Sequence, residues 1–211
     1  MNNHVHDDQP VLEINARELP AEKAVLLLHG RGSSAQAMAP LAKELQTGSV
    51  KFFIPQAAKN RWYPQTAFGP LQANQPDLSS ALSWLDELIE NAVREGFEKD
   101  KIILGGFSQG ACLAAEYVAR SPQRYGGLFI LSGALIGPPQ KPRRIEGSLE
   151  DMPVFIGGSD LDPWVEHPLM ETAARVFEQA GARVDFRTYP GMGHTINEDE
   201  LSAVREMIAN V

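Results

Sequence analysis

Lys101-Ile-Ile-Leu-Gly-Gly-Phe-Ser108-Gln-Gly110-Ala-Cys-Leu-Ala-Ala-Glu-Tyr-Val-Ala-Arg120 is the segment from which the architecture follows. It opens with a short apolar run, Lys101–Leu104, of the kind that forms a strand buried on both faces. It closes with an Ala-rich run, Gln109–Arg120, of helical character. Between them lies Gly106-Phe107-Ser108-Gln109-Gly110, a G-x-S-x-G pentapeptide at a strand-to-helix turn. A turn this tight forces Ser108 into a strained backbone conformation. Side chains at positions 106 and 110 would collide with neighbouring backbone, so both are glycine. The result exposes the serine hydroxyl and aims the free N–H groups of a helix start at it. The plain alternative is a glycine-rich turn carrying a surface serine.

The same alternation extends in both directions. Ala24–Leu28, Lys51–Ile54, Leu128–Leu131, Pro153–Ile156 and Arg183–Tyr189 are further apolar runs, each closed by Gly or Pro at or just beyond its C-terminal end. All six runs read as strands buried on both faces. Helical patterns lie between them at Ser34–Leu45, Asp77–Glu95, Pro168–Ala180 and Asn197–Ala209. Gly181 suits a helix C-terminus, and Asn197 with the acidic residues after it suits an N-terminus. The expected fold is α/β, a mostly parallel central sheet with helices on both faces, in a single domain over 1–211. Val11–Ala16 alternates weakly and predicts an edge strand or hairpin. Two long irregular segments, Gln56–Gln75 and Leu135–Met152, are expected to shape a site at the strand C-termini.

The chain has 211 residues, with 19 Lys and Arg against 27 Asp and Glu, a net charge of −8. That balance argues against nucleic acid or an anionic membrane surface as partner. One cysteine, Cys112, permits no intrachain disulfide and fits a reducing compartment. Cys112 is expected in the core beneath the turn. No apolar run reaches the ~18 residues of a membrane span. The opening MNNHVHDDQP lacks the basic and apolar regions of a signal peptide. Residues 1–10 read as a mobile leader, in which His4 and His6 are expected to be tail residues rather than metal ligands.

A serine hydroxyl needs a base. His194 follows the last strand in a Gly-rich loop, Tyr189-Pro-Gly-Met-Gly-His194, and parallel strands bring their C-termini to one edge. Ser108 and His194 therefore start from the same edge. The acid that orients the imidazole should also follow a strand. Asp160 and Asp162 compete after Pro153–Ile156; Asp162 is favoured because Pro163 holds it extended, leaving Asp160 as a turn or capping residue. The order Ser108, Asp162, His194 is that of α/β-hydrolases. The N–H groups of Gln109 and Arg31 are candidate oxyanion donors, the latter because Gly30 and Gly32 let the backbone turn sharply. Trp62, Tyr63, Phe68 and Trp164 are candidates for an apolar pocket. No metal site is expected.

Leu28-His-Gly-Arg-Gly32, Gly106-Phe-Ser-Gln-Gly110, Asp162-Pro163 and Gly193-His194 together resemble the phospholipase/carboxylesterase family of α/β-hydrolases, which includes acyl-protein thioesterases and small bacterial carboxylesterases. His-Gly-Arg-Gly with Trp62-Tyr63-Pro64 is more similar to the bacterial carboxylesterase branch. The resemblance implies an α/β-hydrolase fold with little or no cap and a triad of Ser108, Asp162 and His194. It also implies an oxyanion hole from the Arg31 and Gln109 amides, no cofactor, a cytoplasmic location and often a homodimer. The family commonly carries Asp-Pro-x-Val-Pro after the acid strand; here the sequence is Asp162-Pro-Trp-Val-Glu166. Trp164 and Glu166 there point to a narrowed pocket or an altered rim. The expected activity is hydrolysis of small-molecule carboxylic esters with small to medium acyl chains. The alternatives are an acyl thioesterase or lysophospholipase acting on longer chains and, from another class, a binding protein on a hydrolase scaffold.

Overall fold

The computed structural model describes residues 5–7, 9–16, 20–141 and 143–211. Among these residues seven strands form one sheet: β1 Val11–Ile14, β2 Lys23–Leu28, β3 Val50–Pro55, β4 Ile102–Phe107, β5 Gly127–Leu131, β6 Pro153–Ser159 and β7 Arg183–Tyr189. Among the described residues there are five α-helices: α1 Ala35–Glu44, α2 Asp77–Arg94, α3 Gln109–Arg120 and α4 His167–Gln179 between strands, and α5 Glu198–Ala209 after the last one. The strand order is β1-β3-β2-β4-β5-β6-β7. All neighbours are parallel except β1, which pairs antiparallel with β3 at the edge, Val11 opposite Pro55. The Val11–Ala16 segment thus forms an edge strand rather than a hairpin.

Alternation within each central strand sorts the core into two layers. Leu26, Leu28, Leu104, Leu128, Ile130 and Ile156 point to the face covered by α2, α3 and α4. Val25, Leu27, Ile103, Phe129, Leu131 and Phe155 point to the face covered by α1 and α5. Strands apolar on both sides are what a sheet with helices on both faces demands. The Arg183–Tyr189 segment departs from that expectation. It is the open edge of the sheet, and its residues are partly or fully exposed, among them Arg183, Asp185 and Arg187. An edge strand is half-solvated, and charge there discourages pairing with other chains.

Helix ends follow local chemistry. The Ser34 hydroxyl accepts the Ala37 N–H at 3.2 Å. Asn197 and Glu200 form a reciprocal capping box at α5. Gly181, at φ +83°, follows α4. Among the described residues, no helix is long and apolar enough to cross a membrane.

The chain runs from β2 to β3 on one side and later returns to β4 on the other. This reversal opens a crevice beyond the C-terminal ends of β2 and β4, the usual place for a ligand in such sheets. Of the two long loops, 56–75 lines the cleft there, and no described residue of 135–152 does. Segment 135–152 packs elsewhere: Glu116 of α3, fully buried, accepts the Ile136 N–H at 3.2 Å and pairs with Arg143 at 2.9 Å.

Candidate active site

Ser108 stands alone between β4 and α3, at φ +56° and ψ −119°. Such a conformation costs ~1–3 kcal/mol for a residue with a side chain and persists only when its surroundings impose it. Here the imposing contacts come from the end of β2. A Cβ on Gly110 would lie 2.5 Å from the Leu28 carbonyl carbon and 2.6 Å from the His29 oxygen. One on Gly106 would lie 2.9 Å from the Gly110 carbonyl carbon and would also meet the Leu28 oxygen. The turn is fastened further by the Ser108 N–H donating to the Leu131 oxygen at 2.9 Å. The opening amides of α3 have no intrahelical acceptor and present the positive end of the helix dipole.

His194 and Asp162 meet across two loops. Asp162 Oδ2 lies 2.6 Å from His194 Nδ1, and its Oδ1 accepts the N–H groups of Trp164 (2.8 Å) and Val165 (3.0 Å). An ionised carboxylate offers only acceptors, so the proton on Nδ1 points to Asp162 and Nε2 is left unprotonated in the neutral ring. The carboxylate of Asp162 is fully buried, and the imidazole packs on the Phe107 ring at 4.8 Å between centroids. Asp160 takes a different part. Its Oδ1 accepts the Gly191 N–H at 2.7 Å, bracing the histidine loop.

Ser108 and His194 line one cleft of about 600 Å³, together with Arg31, Tyr63, Phe68 and Trp164. Trp164 is 72% exposed at this cleft. Trp62 does not line it. Its ring is fully buried, with Nε1 donating to the His29 oxygen at 2.8 Å. A buried indole N–H needs an acceptor, and the strand-end carbonyl supplies it. The Arg31 guanidinium donates to the carbonyls of Pro64 (2.9 Å) and Gln65 (2.5 Å), tying down the loop that forms the cleft wall. Cys112 also lines the cleft, but burial pushes its thiol up to about 11, so it stays protonated at neutral pH.

Sequence reasoning missed the roles of three side chains here. The amide side chain of Gln109 is buried and holds the cleft wall, accepting from the Trp62 N–H and donating to the Tyr63 carbonyl, both at 2.9 Å. The Ser159 hydroxyl, at the end of β6, accepts from two backbone N–H groups. His6 is the third, and at this described residue the reading of 1–10 as a mobile leader does not hold. It is fully buried, its Nδ1 accepting the Ala58 N–H at 3.1 Å and its Nε2 donating to the Trp62 carbonyl at 3.0 Å. Its ring stacks on Trp84 with 10° between planes, and burial lowers its pKa. His4 lies outside the described residues. Among the described residues, no cluster of three or more His, Cys, Asp or Glu side chains could hold a metal ion.

Comparison with known proteins places this geometry in context. A family model described as Phospholipase/Carboxylesterase matches residues 9–211. The crystal structure of a phospholipase/carboxylesterase from Dyadobacter fermentans superposes with a TM-score of 0.88 at 35% identity, over 95% of this chain and 96% of that one. Acyl-protein thioesterase 1 of Kluyveromyces lactis is 27% identical over 94% of this chain and 96% of its own length. The Bacillus cereus carboxylesterase shares the fold, with a TM-score of 0.76 at 20% identity, over 97% of this chain and 95% of that one.

Proposed function

The chain belongs to the phospholipase/carboxylesterase family, with the α/β-hydrolase fold, and on that premise we propose that it hydrolyses carboxylic esters of small to medium acyl chains through Ser108, His194 and Asp162. The observation that carries this reading is the 2.6 Å His194–Asp162 pair lining, through its imidazole, the same cleft as a serine held at positive φ.

In this mechanism Ser108 Oγ attacks the ester carbonyl while His194 Nε2 takes its proton. Asp162 holds the imidazole in the right tautomer and stabilises the imidazolium. The backbone N–H groups of Arg31 and Gln109 receive the developing oxyanion; both residues line the cleft. The proton passes to the departing alcohol, leaving an acyl-serine. Water, deprotonated by His194, then releases the acid. No cofactor takes part. A cytoplasmic setting suits the reading, since the single Cys112 is buried and unpaired.

A second reading, acyl thioester or lysophospholipid hydrolysis, is favoured by the acyl-protein thioesterase relatives. Acyl length separates the two. Hydrolysis of p-nitrophenyl esters from acetate to palmitate, with Ser108→Ala in parallel, is the test. A short-chain optimum that Ser108→Ala abolishes supports the carboxylesterase. An optimum at long chains, also abolished, supports the second reading. Undiminished activity in Ser108→Ala rejects the mechanism.

A further inference from the structure

Ser159 ends β6 with its side chain fully buried. Its Oγ accepts the N–H of Leu161 at 3.0 Å and the N–H of Gly193 at 3.0 Å. Leu161 is the residue immediately before Asp162, and Gly193 the residue immediately before His194. One oxygen atom therefore fixes the backbone just ahead of both members of the 2.6 Å pair. The first bond is local, two residues along the same loop. The second reaches across 34 positions to the other loop. Gly193 takes φ +78°, a conformation open to glycine and strained for other residues. A hydroxyl has two lone pairs and so can hold both donors at once.

We propose that Ser159 is a positioning residue for the hydrolytic reaction, its hydroxyl setting the separation and alignment of the Asp162 carboxylate and the His194 imidazole. The proposal rests on the assignment of these two as acid and base. Asp160, gripping the Gly191 N–H, holds the outer part of the same histidine loop, while Ser159 holds the inner part, one residue from the imidazole. Loss of its oxygen leaves the Leu161 and Gly193 N–H groups without their acceptor and frees the loops to part. Misplacement by about 1 Å in such a pair costs ~100-fold in rate.

The experiment compares wild type with Ser159→Ala, Ser159→Cys and Ser108→Ala. The readouts are kcat and KM on a p-nitrophenyl ester, the far-downfield imidazole N–H proton resonance, and thermal unfolding. The expected result for Ser159→Ala is kcat lower by ~10- to 100-fold with KM within about twofold, and a downfield resonance that moves or broadens. Ser159→Cys keeps the side-chain bulk but offers a poor acceptor, and should show the same split; it serves if the alanine variant does not fold. Folded variants with wild-type kcat, or with reduced kcat but an unmoved resonance, overturn the proposal. Activity surviving in Ser108→Ala would instead reject the triad itself, a separate failure.

Discussion

The side-chain oxygen of Gln109 accepts the backbone N–H of Trp62 at 2.9 Å, joining the first residue of α3 to the loop that walls the cleft. The same amide donates to the Tyr63 carbonyl, so both of its ends are used inside the protein. Gln109→Ala should cost ~1–3 kcal/mol for each buried backbone group left unpaired, lower the melting temperature and raise KM as Tyr63 shifts. Gln109→Glu should be worse than the loss of one bond, since a carboxylate facing the Tyr63 carbonyl has no proton to offer. Unchanged melting temperatures in both variants would show that this clamp contributes nothing.

Gly110 and Gly32 allow space and backbone conformation to be separated. A Cβ at Gly110 meets main-chain atoms of Leu28 and His29, which cannot rotate away, whereas Gly32, at φ +75°, has nothing within 4 Å of one. Gly110→Ala should therefore destabilise by about 3 kcal/mol or more, and Gly32→Ala by about 1 kcal/mol. Urea unfolding of the two variants tests the ranking; equal losses would contradict it.

Glu200 makes stability depend on pH. Burial pushes its carboxyl up from 4.5 to about 7, and its Oε1 has no hydrogen-bond partner among the described residues. A raised acid pKa means that the native state binds the proton more tightly than the unfolded chain. Its contribution is full below pH 4.5 and is lost as pH rises to about 7. The shift corresponds to about 3 kcal/mol. Glu200→Gln, which can still accept the Asn197 N–H, should flatten this slope and raise the melting temperature at pH 8 more than at pH 4.5. A variant that tracks wild type at both pH values rejects the assignment.

His6 works in the opposite sense. Burial holds its pKa below the ordinary 6.5, against the opposing pull of Asp77 and Asp7. The unfolded chain therefore takes up the proton first, and stability falls as pH drops below 6.5. Protonation of Nδ1 also forfeits the bond from the Ala58 N–H. His6→Ala should lower stability at pH 7.5 yet show a shallower loss between pH 6.5 and 5.5, measured by thermal unfolding. A slope identical to wild type would place the acid sensitivity elsewhere, with the similarly buried His29 the next group to replace.

Trp164 and Leu161 flank Asp162 and are the large apolar side chains left exposed among the described residues, at 72% and 67%. Exposed rings cost little to remove from the folded state, so Trp164→Ala should change unfolding free energy by under about 0.5 kcal/mol. It should raise KM in proportion to acyl length, least for acetate and most for the longest ester hydrolysed. An equal KM change across the series would remove Trp164 from the acyl-binding wall.

The strand ladder, the helix starts and the placement of residues 108, 162 and 194 at one edge were legible because each rests on local signals: apolar runs, glycine punctuation, capping side chains. Where sequence reading failed, the partner was distant. Nothing near His6 marks it for burial; its partners lie at Ala58, Trp62, Ser80 and Trp84. Trp62 reads as a pocket residue because it sits in a long loop, yet its N–H finds the His29 carbonyl 33 positions away and draws the ring inward. Arg183–Tyr189 did carry a local signal of its edge position, the alternation of Arg183, Asp185 and Arg187 with Val184 and Phe186, which grouping it with the continuous apolar runs passes over.

The contacts around Gly106 and Gly110 bear on how this pentapeptide can drift over evolutionary time. Both glycines answer to the Leu28 carbonyl, a demand of strand packing that does not involve the hydroxyl of Ser108. A descendant that abandoned the chemistry could exchange the serine and keep its fold, but it would have to retain both glycines. Glycines at these two positions therefore record the packing, and only residue 108 bears on whether the proposed hydrolysis persists.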